Sequence, residues 1–391
     1  MVVLFLANFL KGSLQDEIDQ LFQAILKLDV SRRVVTRSAI CQARKKVSYK
    51  VFIGLLDIIC RFLNQRSEMQ TYKGFRTFAV DGSTMLLPDT EENRRHFGMA
   101  KSEKNHEGRA IARVSILHDV LNRVTFDANI ESYQTGEQTL AWNHLEEAEL
   151  PQKSLILLDR GYVSFHFLRH IWDLGHHFCV RVKSNLKVVK QLEASGKSEG
   201  IFRFKPSKQS REKLCGKQLA KPLRVRVMKF RFGKQTVYLM TNLLGTRKYP
   251  NAELGWLYHQ RWQVEESFKA KKCRLKIEQF SGFSPENIRQ DFHAKIFSEG
   301  LASALALEVR DKVEAYSQKT EDEYVVSLTQ VLAKMKNTIA LLFLRRRWRT
   351  LLDQLTIQFF KNLVARVPGR KARRKIRANS NNRSPSYALN R

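Results

Sequence analysis

Ser154-Leu-Ile-Leu-Leu-Asp159-Arg-Gly-Tyr162 is the stretch on which the fold turns. Its unbroken apolar run from Leu155 to Leu158 suits a strand buried on both faces, as in a sheet covered by helices. The run delivers a carboxylate, Asp159, to its end, just before a glycine-containing turn. Upstream, Phe75 to Val80 is a second, mostly apolar run. It leads into Asp81-Gly82-Ser83, and the reading there is a strand that ends at a turn.

Around these two runs the other elements follow. Ala110 to Val120 and Val124 to Ile130 are β-rich and make a three-stranded meander with the first run. Thr139 to Leu150 and Val163 to Leu174 read as helices, and His177 to Val182 as a further strand. Strands that meander and then alternate with helices predict an α/β fold, a mixed sheet with flanking helices. Residues 1 to 70 read as helical, with Leu14, Ile18, Leu21, Phe22, Ile25 and Leu26 at three- and four-residue spacing. Lys187 to Gly245 holds fifteen basic and three acidic residues, with β-like segments at Leu223 to Phe230 and Thr236 to Met240. It reads as a basic β-rich insertion. Helix resumes from Asn251 to Cys273, Ile288 to Leu307 and Val326 to Leu344. From Arg366 to Arg391 nine basic residues and no acid predict a disordered tail.

The expected organisation is therefore a helical basic region over residues 1–70 and a core over 71–186 and 246–310. The insertion at 187–245 interrupts that core, and C-terminal helices at 311–365 and the tail at 366–391 follow it.

In the 391 residues, 69 Lys+Arg against 38 Asp+Glu leave a formal charge of +31. Such a field concentrates polyanions. Seven cations and no acid lie between Ser31 and Lys50 (Arg32, Arg33, Arg37, Arg44, Lys45, Lys46, Lys50), a further nucleic-acid footprint. At 43% hydrophobic, the chain has ample apolar material for a core, which excludes general disorder. Five scattered cysteines with no CxxC spacing indicate neither a zinc knuckle nor a disulfide framework. Met1 to Leu10 is too short to span a bilayer and reads as a first core helix. A soluble, intracellular protein with no membrane partner is expected.

Asp81 and Asp159, each ending an apolar strand, can converge as a divalent-cation site requires. In a continuous Asn251–Cys273 helix, Tyr258, Arg261, Glu265 and Lys272 stand at offsets of 0, 3, 7 and 14. At about 100° per residue they fall within a wedge of about 60°. One face then carries an acid for a metal, two cations for phosphates and an aromatic for a sugar or base.

Three blocks together, Val80-Asp81-Gly82-Ser83, Asp159-Arg160-Gly161-Tyr162 and Tyr258-x2-Arg261-x3-Glu265-x6-Lys272, resemble the signatures of the insertion sequence 4 family. These are bacterial DDE transposases. The resemblance runs from about Ser38 to about Ser303, including Arg109 to Asn122, Arg181-Val-Lys183, Thr241-Asn-Leu and Glu278-Gln-Phe-Ser-Gly. It implies a ribonuclease-H-like core. It also implies that Asp81, Asp159 and Glu265 bind two Mg²⁺ or Mn²⁺ ions for in-line phosphoryl displacement. Tyr258, Arg261 and Lys272, with Arg181 and Lys183, match positions that hold transposon-end DNA.

The activity so implied is cut-and-paste transposition: cleavage at transposon ends and transfer of the 3′-hydroxyl into target DNA. Its partners are double-stranded inverted-repeat ends, target DNA and a second copy in a homodimer, in the bacterial cytoplasm at the nucleoid. Relatives receive a flipped base on an aromatic of the insertion, for which Tyr238, Phe230 and Phe232 are candidates. A metal-dependent nuclease on the same core and an inactive, domesticated DNA-binding protein are the alternatives. Other residues read more plainly. His166 and His170 are four apart but lack a third ligand, so a zinc site is not expected. Asp119 and Asp127 read as turn or edge residues, and Arg345-Arg-Arg-Trp348-Arg as a solvated helix end with some DNA contact.

Overall fold

The computed structural model describes residues 1–366, except 9, 11, 30–31, 103–104, 207–220 and 233–234. From 367 onward, the tail lies outside the described residues, as does Cys215. The chain begins with helices α1 (Val2–Leu6), α2 (Leu14–Leu26), α3 (Arg37–Arg44) and α4 (Lys50–Asn64). Ser13 and Thr36 start α2 and α3 by accepting hydrogen bonds from the Asp16 and Ala39 amides. Of the α2 stripe, Leu14, Ile18 and Leu21 are buried, Phe22 and Ile25 pack against them, and Leu26 is exposed. This stripe shares one apolar cluster with Met335, Ile339 and Ala340, so the two helical ends of the chain form a common core.

The basic stretch of α3 is not a uniform surface. Arg32, Arg33, Arg37, Lys45, Lys46 and Lys50 are exposed. Arg44 instead turns inward to Asp291, Ser281, Gln290 and the Asn287 carbonyl.

The sheet is built from β1 (Thr77–Leu86), β2 (Met99–Ser102), β3 (Asn105–Asp119), β4 (Val124–Ser132), β5 (Leu155–Leu158) and β6 (His177–Val182). β1 pairs antiparallel with β3, and β3 with β4, which is the expected meander. On its other side β1 pairs parallel with β5, and β5 with β6. The order β4-β3-β1-β5-β6, with that mixture of directions, is the ribonuclease-H-like core. Segment 187–245 then supplies helix α8 (below) and strands β7 (Glu199–Phe204), β8 (Leu223–Phe232) and β9 (Gln235–Thr241). They extend the same sheet through an antiparallel β6–β9 pair.

Helices α5 (Glu91–Phe97), α6 (Glu137–Glu147), α7 (Phe165–Asp173) and α8 (Lys187–Ala194) are joined by further ones from Asn251 onward. Alternation along β1 distributes its side chains between two layers. Phe78 and Val80 pack with α4, α6 and α7, whereas Ala79 packs with Leu254, Leu257 and Val264 on the opposite face. Helices cover both faces, so the parallel strands are buried as their apolar runs predict.

Four elements differ from their sequence reading, one being the segment 311–365 read as all helix, where Glu323–Val326 and Leu363–Arg366 pair as antiparallel strands. β1 does not end at Asp81-Gly82-Ser83 but runs on to Leu86, because the long β3 pairs with it as far as Ile111. Parallel β5, by contrast, leaves β1 after pairing with Ala79. Asp81 therefore sits inside a strand, where its neighbour on one side has run out. The expected helix over Asn251–Cys273 is two, Asn251–His259 and Trp262–Cys273, divided at Gln260–Arg261. The Val326–Leu344 helix likewise divides into Leu328–Met335 and Thr338–Leu344 at Asn337. Asn337 has φ 60°, a left-handed value that asparagine tolerates. Its backbone amide donates to Asn8 Oδ1. Among the described residues no helix is long and apolar enough to cross a membrane.

Candidate active site

A cleft of about 520 Å³ opens where β5 stops beside β1. Asp81, Glu137, Asp159, Tyr162, Lys183 and Asn185 are among the residues that line it. Asp159 leaves the end of β5 and caps the short turn Arg160–Tyr162, its Oδ1 accepting from the Gly161 amide at 3.0 Å. Asp81 lies on the β1 face packed by the Asn251–Cys273 helices. Burial pushes its carboxyl up to about 6, and the negative charges of Glu265 and Asp159 push the same way. The Arg261 guanidinium and the Gly82 amide oppose the rise. Asp81 therefore lies in the field of both other expected carboxylates.

Glu265 does not reach the cleft lining. Arg261 Nη2 donates to its Oε1 at 2.7 Å, one turn back along the helix. Among the described residues no group of three His, Cys, Asp or Glu side chains stands close enough to hold a metal ion. The donors are nonetheless carboxylate oxygens only, the chemistry that suits hard cations such as Mg²⁺ or Mn²⁺. The set fits such an ion in kind, and only one oxygen of Glu265 is engaged by Arg261.

The break at Gln260–Arg261 changes what the Tyr-Arg-Glu-Lys spacing does. Tyr258 is 9% exposed, and its hydroxyl donates to the Leu158 carbonyl at 3.2 Å, directly before Asp159. Its ring is inside the protein and holds the strand end. Tyr258→Phe is expected to lower stability by about 1 kcal/mol, because the Leu158 carbonyl loses its partner in a buried setting; urea unfolding measures this. Arg261 is 6% exposed, and its Nε and Nη1 have no protein acceptor. Lys272 Nζ donates to the Thr84 carbonyl at 2.7 Å and stands 3.5 Å from Glu278, tying the helix end to β1. Lys183 is exposed on the cleft, and Arg181 is half-buried on β6.

The remaining candidates divide clearly. Tyr238 is buried and hydrogen-bonds Glu193, and Phe230 packs closely on Gly255. The Phe232 side chain lies outside the described residues. His170 stacks on Trp142 at 3.5 Å between ring centroids and pairs with Glu146, while His166 tilts against the same ring. Asp119 is wholly buried with Arg76 and Asn122, and the partly buried Asp127 pairs with His144. Both are structural. Arg345 to Arg349 are exposed, Trp348 included. Sequence spacing gave no sign of Glu137, the first residue of α6 after Gly136, nor of Asn185.

A ribonuclease-H-like sheet with acidic side chains gathered at the end of its central strands defines a class of nucleic-acid phosphoryl-transfer proteins. A family profile described as Transposase DDE domain matches residues 72–298. The chain belongs to this family, whose members are DNA-cleaving enzymes that generally use divalent metal ions. It is similar to the transposase InsG of insertion sequence element IS4 from Escherichia coli (strain K12). The two are 21% identical over 76% of this chain and 68% of that protein, in keeping with the insertion sequence 4 resemblance. It is also 30% identical to the putative transposase y4zB of Sinorhizobium fredii (strain NBRC 101917 / NGR234), over 45% of this chain and 46% of the relative. A cryo-EM structure of a piggyBac transposase synaptic complex with hairpin DNA aligns over 94% of this chain and 86% of its own. Its TM-score is 0.43 and its identity 11%, too loose to carry residue correspondences.

Proposed function

We propose that the cleft carries out cut-and-paste transposition: cleavage at the ends of a mobile element, followed by attack of the freed 3′-hydroxyl on target DNA. The observation that supports this most is the convergence of Asp81 and Asp159 on one cleft, with the Asp81 carboxyl held up partly by the charge of Glu265. Asp81, Asp159 and Glu265 would hold the cations. Bound there, two Mg²⁺ or Mn²⁺ ions lower the barrier by stabilising charge on the attacking and leaving oxygens.

The other residues have separable tasks. Arg261 keeps two N–H donors without protein acceptors beside the carboxylates, and a phosphodiester supplies acceptors for both. Lys183 contributes positive charge at the cleft, and it, Arg181 and Lys272 are the cations assigned to the DNA backbone. Tyr258 acts behind them by holding the end of β5, and no stacking role is assigned to its buried ring. The exposed cations around α3, Arg32, Arg33, Arg37, Lys45, Lys46 and Lys50, extend the DNA footprint. A homodimer in the bacterial cytoplasm, at the nucleoid, would hold two element ends at once.

A pH dependence follows from Asp81. Its folded value, about 6, lies above the ordinary 3.8, so the folded protein binds this proton more tightly than the unfolded chain. That contribution to stability is complete below pH 3.8 and lost as pH rises through about 6. A cation competes with the same proton, with Arg261, Glu265 and Asp159 facing the carboxyl. Divalent-ion affinity is therefore expected to be flat above pH 6 and to fall by about tenfold per unit below it. Calorimetric Mn²⁺ titrations at several pH values check this, and a flat profile down to pH 5 would be inconsistent with it.

The test of function supplies element-end duplexes, pre-cut with free 3′-hydroxyls, together with Mg²⁺ and a target plasmid. Joined products are the expected result. Hydrolysis without joining would favour the nuclease alternative.

A further inference from the structure

The carboxylates that line the cleft are Asp81, Asp159 and Glu137, so a residue outside all three signature blocks shares that lining with both aspartates. Glu137 reaches it from the other layer of the protein. Asp81 faces the helices after Asn251, whereas α6 lies on the opposite face of β1. The two approaches meet because β1 continues past the end of β5. There Gly82 leaves the space: a Cβ at that position would stand 3.1 Å from Glu137 Cδ and 3.3 Å from its Oε1. The glycine of the first signature block thus has a physical reason, which is room for this carboxylate.

A plainer account is that Glu137 suits the first turn of α6 and pairs with Arg113, whose Nη1 donates to its Oε1 at 3.0 Å. That pair is partly exposed, at 22% and 44%, and such pairs contribute about 0–1 kcal/mol. It leaves Oε2 uncommitted and does not account for close packing over Gly82. It also leaves Tyr162 unexplained. This residue lines the cleft at 2% exposure, yet its hydroxyl has no protein partner. Burial first, and then the charges of Asp81, Glu137 and Asp159, keep the phenol protonated. An unpaired buried donor on a residue that lines an acidic cleft is suited to a ligand that brings its own oxygen, such as a hydrated cation.

Resting on the functional reading above, we propose that Glu137 is a further cation-binding residue of the cleft, an oxygen donor beside Asp81 and Asp159. Through Glu137, α6 is joined to the site from the far side of the sheet. As they stand the three carboxylates are not close enough to hold an ion together, so cation binding draws them in across the cleft while Glu265 remains with Arg261, and this gives the protein cation affinity before DNA arrives.

The experiment is Mn²⁺ titration by calorimetry on the full chain without DNA, comparing wild type with Glu137→Gln, Glu137→Asp and Asp81→Asn. Melting curves without metal report folding. Glu137→Gln is expected to weaken Mn²⁺ binding about tenfold. Glu137→Asp, which keeps the charge but withdraws the carboxylate by about 1.5 Å, is expected to weaken it severalfold. If Glu137→Asp binds like wild type, the donor role is overturned, whatever Glu137→Gln does. If both Glu137 variants bind within twofold of wild type while Asp81→Asn does not, Glu137 is excluded and the cleft stands. If Asp81→Asn also binds normally, the cation-site reading itself fails. Should Glu137→Gln not fold, the charge-keeping Glu137→Asp still decides.

Discussion

Asp159→Asn is expected to lower Mg²⁺-dependent cleavage of an element-end duplex by at least about 10³-fold, with little change in fold or DNA binding. The asparagine keeps the size of the side chain and an oxygen able to accept from the Gly161 amide, so the Arg160–Tyr162 turn survives. What it removes is one of the negative charges that, after burial, raise the proton affinity of Asp81. A divalent ion loses both a ligand and part of the field that holds it. DNA binding is expected to be kept or slightly strengthened, since a charge that repels phosphate has gone. Cleavage assays beside equilibrium binding separate the two effects. Glu265→Gln is expected to match it in cleavage. A Glu265→Gln variant that still cut in Mg²⁺ would remove Glu265 from the site.

A second large effect is in stability. Arg44→Met is expected to lower the unfolding free energy by about 3–5 kcal/mol, because one partner of a buried ion pair is lost while the other remains. Arg44 is 3% exposed and Asp291 likewise 3%. The guanidinium donates to Asp291 Oδ1 at 2.9 Å, Ser281 Oγ at 2.5 Å, the Asn287 carbonyl at 2.7 Å and Gln290. Asp291 in turn accepts from the Ser281 amide at 2.6 Å. Lysine is not expected to rescue, since a single ammonium cannot serve four acceptors fixed around a planar fork. Arg44→Met combined with Asp291→Leu is expected to recover most of the loss, because no unpaired charge is left buried. Urea midpoints and slopes for the two variants check both statements. A loss below 1 kcal/mol for Arg44→Met would mean that the network does not hold α3 to the core.

The contrast between Arg44 and Asp159 marks how far the chain can be read without its fold. Asp159 is legible because a strand buried on both faces must be a continuous apolar run, and a carboxylate directly after such a run stands out. Arg44 is not legible. It lies among six exposed cations of the same type, and composition cannot tell which of seven finds a buried aspartate 247 positions away. Tyr258 and Arg261 fall between these cases. Their spacing with Glu265 and Lys272 is visible, but a helical wheel assumes an unbroken helix, and the break at Gln260–Arg261 turns Tyr258 inward. Glu137 is invisible for another reason: its neighbours in the cleft arrive from β1 and β5, and no local pattern records that meeting.

The meander, the two apolar parallel strands, the two aspartates and the excess of positive charge are written in the chain locally. Alternation, apolar runs and net charge are properties of short segments or of the whole composition. That β1 outruns β5 and opens a cleft there emerges from the folded sheet alone. So do the resting of Glu265 on Arg261 and the passage of Glu137 through the gap over Gly82. Those outcomes depend on which strand pairs with which, and for how long, and on close packing between residues far apart in the chain.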